Sequence, residues 1–186
     1  MSRRAAWLAA SLAGVLAAAG CGTAETPVQL PDQPVAQAVA GSAAAGPGPA
    51  GAVPQTLAFT GKTLEGKPFD AAVLAGRPTV LWFWAPWCAT CAMQASSVAA
   101  LKQEYGDRLA VLGVAGLDDN KAMREFVTDF EVGAVPQLDD QAGTLWRRFK
   151  VVEQSTYVFL DRKGTVVHTG WLDDVDLSAQ VKTLVG

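Results

Sequence analysis

Apolar and polar positions change period several times along the chain, and each change marks an element. Thr79–Trp84 is an unbroken apolar run rich in β-branched and aromatic residues, the pattern of a central strand buried on both faces. Strand alternation puts Trp82 and Trp84 on one side and Phe83 on the other. The period then becomes helical over residues 88–104. Ala95, Val98, Leu101 and Tyr105 recur at helical spacing, and Gly106 supplies a stop. Residues 109–115 read as a second central strand. Asp118-Asp119-Asn120 offers caps for a helix over 121–130, with Ala122, Phe126 and Phe130 along one face. Gln137–Asp139 reads as a short strand and 143–149 as a short helix. Residues 156–160 and 165–169 flank Asp161-Arg162-Lys163-Gly164 as a hairpin, and 176–185 closes as a helix. Ahead of these, 57–67 suggests a short hairpin, Phe69 opens a brief strand and 71–74 makes one helical turn. Strand–helix alternation implies a parallel half-sheet, to which the late hairpin adds an antiparallel half.

The first 54 residues do not share this patterning. Met1-Ser2-Arg3-Arg4 is a positive start, followed by a small-and-apolar stretch that ends at Leu16-Ala17-Ala18-Ala19-Gly20-Cys21. It resembles a bacterial lipoprotein signal, with cleavage before Cys21 and lipid attached there. The Leu of that pattern stands two residues early, with Ala18 in its place. The alternative is an ordinary secretory signal cleaved at an Ala-x-Ala-like site. Both readings export the protein. Residues 22–54, rich in Ala, Pro, Gly, Gln and Val and almost uncharged, are expected to form a disordered tether. The expected division is therefore 1–20 signal, 21–54 lipidated Cys and tether, and 55–186 folded domain.

Charge removes one class of partner. Of 15 Lys/Arg and 18 Asp/Glu in the chain, two of each precede residue 55, so the domain carries the whole net charge of −3 and no basic stripe. Nothing in that balance supports nucleic-acid binding.

The chemistry lies in Trp82-Phe83-Trp84-Ala85-Pro86-Trp87-Cys88-Ala89-Thr90-Cys91. A strand running into a C-x-x-C at the start of a helix is the arrangement of thiol–disulfide exchange. With Cys88 at the N-cap and Cys91 at the third helical position, free N–H groups and the helix dipole favour a thiolate at Cys88. Cys88 is then the nucleophile and Cys91, one turn inside, the resolving thiol. Cys21 is the remaining cysteine and His168 the sole histidine. A four-ligand zinc site therefore lacks ligands, and no metal or other cofactor is expected beyond the Cys88–Cys91 disulfide itself. Trp87 is expected to be exposed and to line a groove for an apolar peptide segment.

Trp84 to Cys91 resembles the active-site motif of the thioredoxin superfamily. Gly113-Val114-Ala115-Gly116-Leu117-Asp118, Glu125-Phe126-Val127 and Tyr157 to Gly164 extend the resemblance to its extracytoplasmic TlpA/DsbE-like (redoxin) branch, nearest the secreted DsbE/DsbF-type proteins of actinobacteria. The resemblance spans 55–186. It implies an α/β thioredoxin-like fold: a central mixed sheet flanked by helices, with an inserted helix after the second central strand. It also implies a substrate groove formed by Pro86, Trp87, Ser155 and Thr156. Three positions depart from the pattern. Trp82 stands where many thioredoxins bury an Asp proton relay. Ala89 stands where TlpA-like reductases often have Glu. Ser155 stands at the cis-proline position, so either a costly cis Gln154–Ser155 bond forms or the loop is trans. The Ser155 hydroxyl would then be within reach of the Cys88 sulfur.

The function expected is exchange of disulfides with exported cysteine-containing proteins, in the oxidative direction, with a membrane redox partner recycling the dithiol. The alternative is a reductase of the cytochrome c maturation type. A peroxiredoxin-like peroxidase needs Thr three residues before its Cys, where Ala85 stands here. A metal-carrying lipoprotein of this fold would use C-x-x-x-C and a late His.

Overall fold

The computed structural model describes residues 52–186. The signal segment, Cys21 and all but the last three residues of the tether lie outside the described residues. Eleven regular elements follow in order: β1 (Thr60–Lys62), β2 (Pro68–Asp70), β3 (Thr79–Trp84), α1 (Ala89–Tyr105), β4 (Ala110–Ala115), α2 (Asn120–Asp129), β5 (Gln137–Asp139), α3 (Thr144–Arg148), β6 (Thr156–Leu160), β7 (Val166–Gly170) and α4 (Asp174–Val185). Short 3-10 turns add Gln55–Leu57, Ala71–Leu74 and Gly106–Arg108.

The five main strands order as β5-β4-β3-β6-β7. β4 lies parallel to β3 and β5 parallel to β4, while β6 and β7 run antiparallel to their neighbours. This is the mixed sheet expected, with α2 as the helix following the second central strand. Every residue of β3 and β4 is buried, because helices cover both faces. Trp82 and Trp84 face α1, α2 and α4, where Val98, Leu101, Phe126 and Val181 complete the core. Leu81 and Phe83 face the opposite layer with Leu57, Leu74, Leu145 and Trp146.

Two expectations shift. Residues 57–59 do not form a strand: Leu57 ends a 3-10 turn and is buried beneath the sheet, and β1 pairs β2 in the register Thr60↔Asp70. The closing helix starts two residues early, because Asp173 caps it through the Asp176 N–H at 2.8 Å. His168 is a β7 residue packed edge-on against Phe159 at 5.5 Å, as a plain strand residue would be.

Thr56 Oγ1 donates to the Gly164 carbonyl at 2.6 Å, and a Cβ on Gly164 would fall 2.4 Å from Pro54. Gly164 belongs to the β6–β7 turn. Because Leu160 pairs with Thr79, that turn lies at the beginning of β3, the end of the sheet away from Cys88.

Candidate active site

β3 ends at Trp84, and three residues carry the chain to Cys88, the N-cap of the 17-residue α1. The Cys91 N–H donates to Cys88 Sγ at 3.0 Å. One of the orphan donors of the helix start is thus spent on the sulfur, and the helix dipole points the same way. The two sulfurs are joined in a disulfide, with Cα atoms 5.2 Å apart. Cys88 is 5% exposed and Cys91 is fully buried, so of the two only Cys88 reaches the surface. Exchange needs this asymmetry, because attack falls on the reachable sulfur and the inner one leaves.

Beside the disulfide, Pro86 is half-buried and Trp87 is 57% exposed. The Trp87 indole is braced rather than free, since Nε1 donates to the Leu117 carbonyl at 3.2 Å. Leu117 takes a left-handed φ of 62°, which turns that carbonyl toward the ring at the start of the α2 connection. A groove of about 280 Å³ continues from Pro86 and Trp87 along α2, lined by Phe126 and Phe130 and rimmed by Asp118 and Asp129. A larger opening, about 740 Å³, lies between β1 and α2 around Lys62, Asn120 and Arg124 and reaches neither cysteine.

The loop on the other side of the site differs from one of the expectations. All described peptide bonds are trans, and Ser155 takes φ 61°. Its hydroxyl donates to the Gln154 carbonyl at 2.5 Å, so it is not the partner of the Cys88 sulfur. Thr156 is buried as the first residue of β6 and donates its hydroxyl to the Glu153 carbonyl at 2.9 Å. It supports the loop from below instead of lining its surface.

Two glutamines, Gln94 and Gln137, carry roles that the pattern of apolar positions hides. Trp82 Nε1 donates to Gln94 Oε1 at 2.8 Å, and Trp84 Nε1 donates to Gln137 Oε1 at 2.9 Å. A core tryptophan needs an acceptor for its N–H, and both strand tryptophans find a buried amide. Gly113 makes room for the second pair, because a Cβ there would sit 1.7 Å from Gln137 Oε1. The signal was available: a glycine inside a strand marks a close approach.

Behind the disulfide there is no carboxylate at position 82. Tyr157 pairs with Trp82 across the sheet, and no protein group among the described residues bonds its hydroxyl. Burial first, and the Asp174 charge second, push this phenol well above its usual range. It stays neutral at physiological pH and is no base for Cys91.

Known proteins share the fold. The model of the AhpC/TSA family matches residues 53–169. The soluble secreted antigen MPT53 of Mycobacterium tuberculosis is 35% identical over 137 residues, covering 72% of this chain and 78% of the antigen. Among solved structures, Mycobacterium tuberculosis DsbF in mixed oxidised and reduced forms superposes with a TM-score of 0.67 at 40% identity, over 72% of this chain and 99% of DsbF. A secreted disulfide oxidoreductase of Mycobacterium tuberculosis, described as homologous to E. coli DsbE, gives 0.64 at 35% identity, over 70% and 98%. With more than half its length matched by the family model and a redox-type C-x-x-C at the start of α1, the chain belongs to the AhpC/TSA family and has its thioredoxin-like fold.

Proposed function

We propose that the protein is an exported thiol–disulfide oxidoreductase of the DsbE/DsbF type, which oxidises cysteines in other exported proteins through Cys88 and Cys91. The observation that carries this reading is the disulfide at the start of α1, with one sulfur reachable, the other buried, and a backbone N–H aimed at the reachable one. A substrate thiolate attacks Cys88 Sγ, the Cys88–Cys91 bond breaks and Cys91 leaves with the electron pair. A second substrate cysteine then attacks its partner's sulfur in the mixed disulfide and releases Cys88. The substrate ends with one disulfide; Cys88 and Cys91 end as a dithiol holding two electrons and two protons. An oxidising partner in the membrane takes these up and restores the disulfide. The likeness to a secreted mycobacterial disulfide oxidoreductase supports exchange outside the cytoplasm, and Ala89 in place of an acid beside the nucleophile favours this direction.

Equilibration of the dithiol with glutathione tests the direction. The expected reduction potential lies above that of thioredoxin, about −270 mV. A value well below it would reverse the assignment to a reductase of the cytochrome c maturation type. A peroxidase reading has no support at the site, where a buried Ala85 stands three residues before Cys88 in place of a hydroxyl.

The stretch ending at Cys21, similar to a bacterial lipoprotein signal, favours lipid attachment there. A mature N-terminal peptide that begins at Cys21 and carries acyl mass supports the anchor. An unmodified N-terminus would make the protein freely secreted.

A further inference from the structure

Gln94 is a polar residue in an apolar place. It lies on α1 one turn beyond Cys91, is 4% exposed, and points into the layer that holds the two strand tryptophans. Both ends of its amide are used. Oε1 accepts from Trp82 Nε1 at 2.8 Å, and Nε2 donates to the Ser155 carbonyl at 3.2 Å. An indole N–H only donates and a carbonyl only accepts, so these partners fix the amide in one orientation. Trp82 cannot turn to release it. Its ring is fully buried, stacked on Trp84 at 5.6 Å and tilted against Phe126 at 6.3 Å. Trp82 therefore aims Gln94, and Gln94 holds Ser155.

The segment it holds has reason to move. Ser155 occupies the left-handed region at φ 61°, which a residue with a Cβ adopts at a cost. Residues 152 and 153 are exposed, and Ser155 is the last residue before β6. The register that pairs Phe83 with Thr156 sets Ser155 beside Trp84, the residue from which the chain runs to Cys88. The 153–155 loop and the start of α1 thus both adjoin the Trp84 end of β3. Among the described residues, Gln94 makes the side-chain bond that ties one to the other.

We infer that Gln94 is a positioning residue for disulfide exchange. It sets the spacing between α1 and the 153–155 loop, and with it the cleft in which a protein substrate presents its cysteine to Cys88. This rests on the oxidoreductase reading above. A peptide thiol must be aligned by that cleft, whereas a small thiol such as dithiothreitol reaches Cys88 without it.

The test follows reduction of the oxidised full chain by a cysteine-containing peptide and by dithiothreitol from pH 5 to 8, in the parent protein, Gln94→Glu and Gln94→Leu. Glutamate is nearly isosteric with glutamine, so this variant keeps the packing. Its protonated carboxyl can donate to Ser155 as the amide does; ionised, it cannot. Burial raises a carboxyl pKa and brings the change into this range. The other titratable groups near position 94 are Cys88 and Cys91 on its own helix, Tyr157 on β6, Asp174 on α4, which accepts from Ser97 of α1 at 2.7 Å, and the exposed Glu153 in the loop. A charge acting directly on the cysteines would alter both reductants alike. The ratio of peptide rate to dithiothreitol rate therefore isolates the loop. For Gln94→Glu this ratio should match the parent within about twofold at pH 5 and fall about tenfold by pH 8, the loss of one hydrogen bond, through KM rather than kcat. For Gln94→Leu it should be about tenfold low throughout. Ratios equal to the parent's at every pH in both variants would overturn the role of Gln94 and leave the oxidoreductase reading standing. A parent protein that dithiothreitol reduces but cysteine peptides do not would overturn both.

Discussion

Cys88→Ser protein is expected to exchange disulfides no faster than buffer, whereas Cys91→Ser, which has no internal disulfide for a substrate thiolate to open, keeps attack of the Cys88 thiolate on a disulfide within about tenfold and stops at the mixed disulfide. The difference follows from where the stabilising groups sit. The N–H that bonds Cys88 Sγ belongs to the Cys91 backbone, so replacing the Cys91 side chain leaves that donor in place. The helix behind it is unchanged, and Cys88 keeps its sliver of exposure. Cys91 has no comparable access. Alkylation of the reduced parent by iodoacetamide, followed by peptide mass mapping, reads the same asymmetry directly. Label should appear on Cys88 first and reach Cys91 only after unfolding. Faster labelling of Cys91 would reverse the two roles.

Asp140→Ala should lower stability by about 3 kcal/mol without changing the exchange rate at 25 °C. Asp140 is 4% exposed, and its carboxylate accepts from the N–H groups of Thr144, Leu145 and Trp146 at 2.8, 2.9 and 2.9 Å. These are the orphan donors of α3, a five-residue helix too short to persist without them. Two of the donors are buried and would lose their partner altogether. The disturbance passes to Trp146, which meets Phe83 edge-on at 5.8 Å and closes over Gly116, where a Cβ would fall 2.7 Å from its indole nitrogen. It stays in that layer. Trp82, Trp84 and the disulfide belong to the opposite face of the sheet. Thermal unfolding should show the loss as a fall of about 10 °C in Tm. An unchanged Tm, or a slowed exchange reaction with intact Tm, would contradict this separation of the two layers.

The fold was readable where a period of burial repeats. Thr79–Trp84 has the β-branched and aromatic run typical of a strand covered on both faces, and the spacing of Ala95, Val98, Leu101 and Tyr105 marks the buried side of α1. The cysteines were readable because their chemistry depends on local position, N-cap and third residue, and local position survives in sequence. Gln94 and Gln137 were not, because an amide in a helix or strand usually faces water; what buries these two is a tryptophan N–H brought from another element. Asp140 was missed for the same reason, since a single Asp before a loop does not reveal that three N–H groups will turn toward it. Ser155 shows the limit of a motif read by substitution. The missing proline suggested a hydroxyl for the Cys88 sulfur, but the left-handed backbone sends that hydroxyl to the Gln154 carbonyl and leaves the Ser155 carbonyl as the group that matters.

The most direct measurement is to express Cys91→Ser protein in its native compartment, quench with acid and identify by mass what is bound to it. The expected result is a set of exported proteins joined through Cys88 by disulfides that reductant releases, none of which appears with the Cys88→Ser, Cys91→Ser double variant. Absence of any such adduct, or adducts that persist in the double variant, would contradict exchange through Cys88.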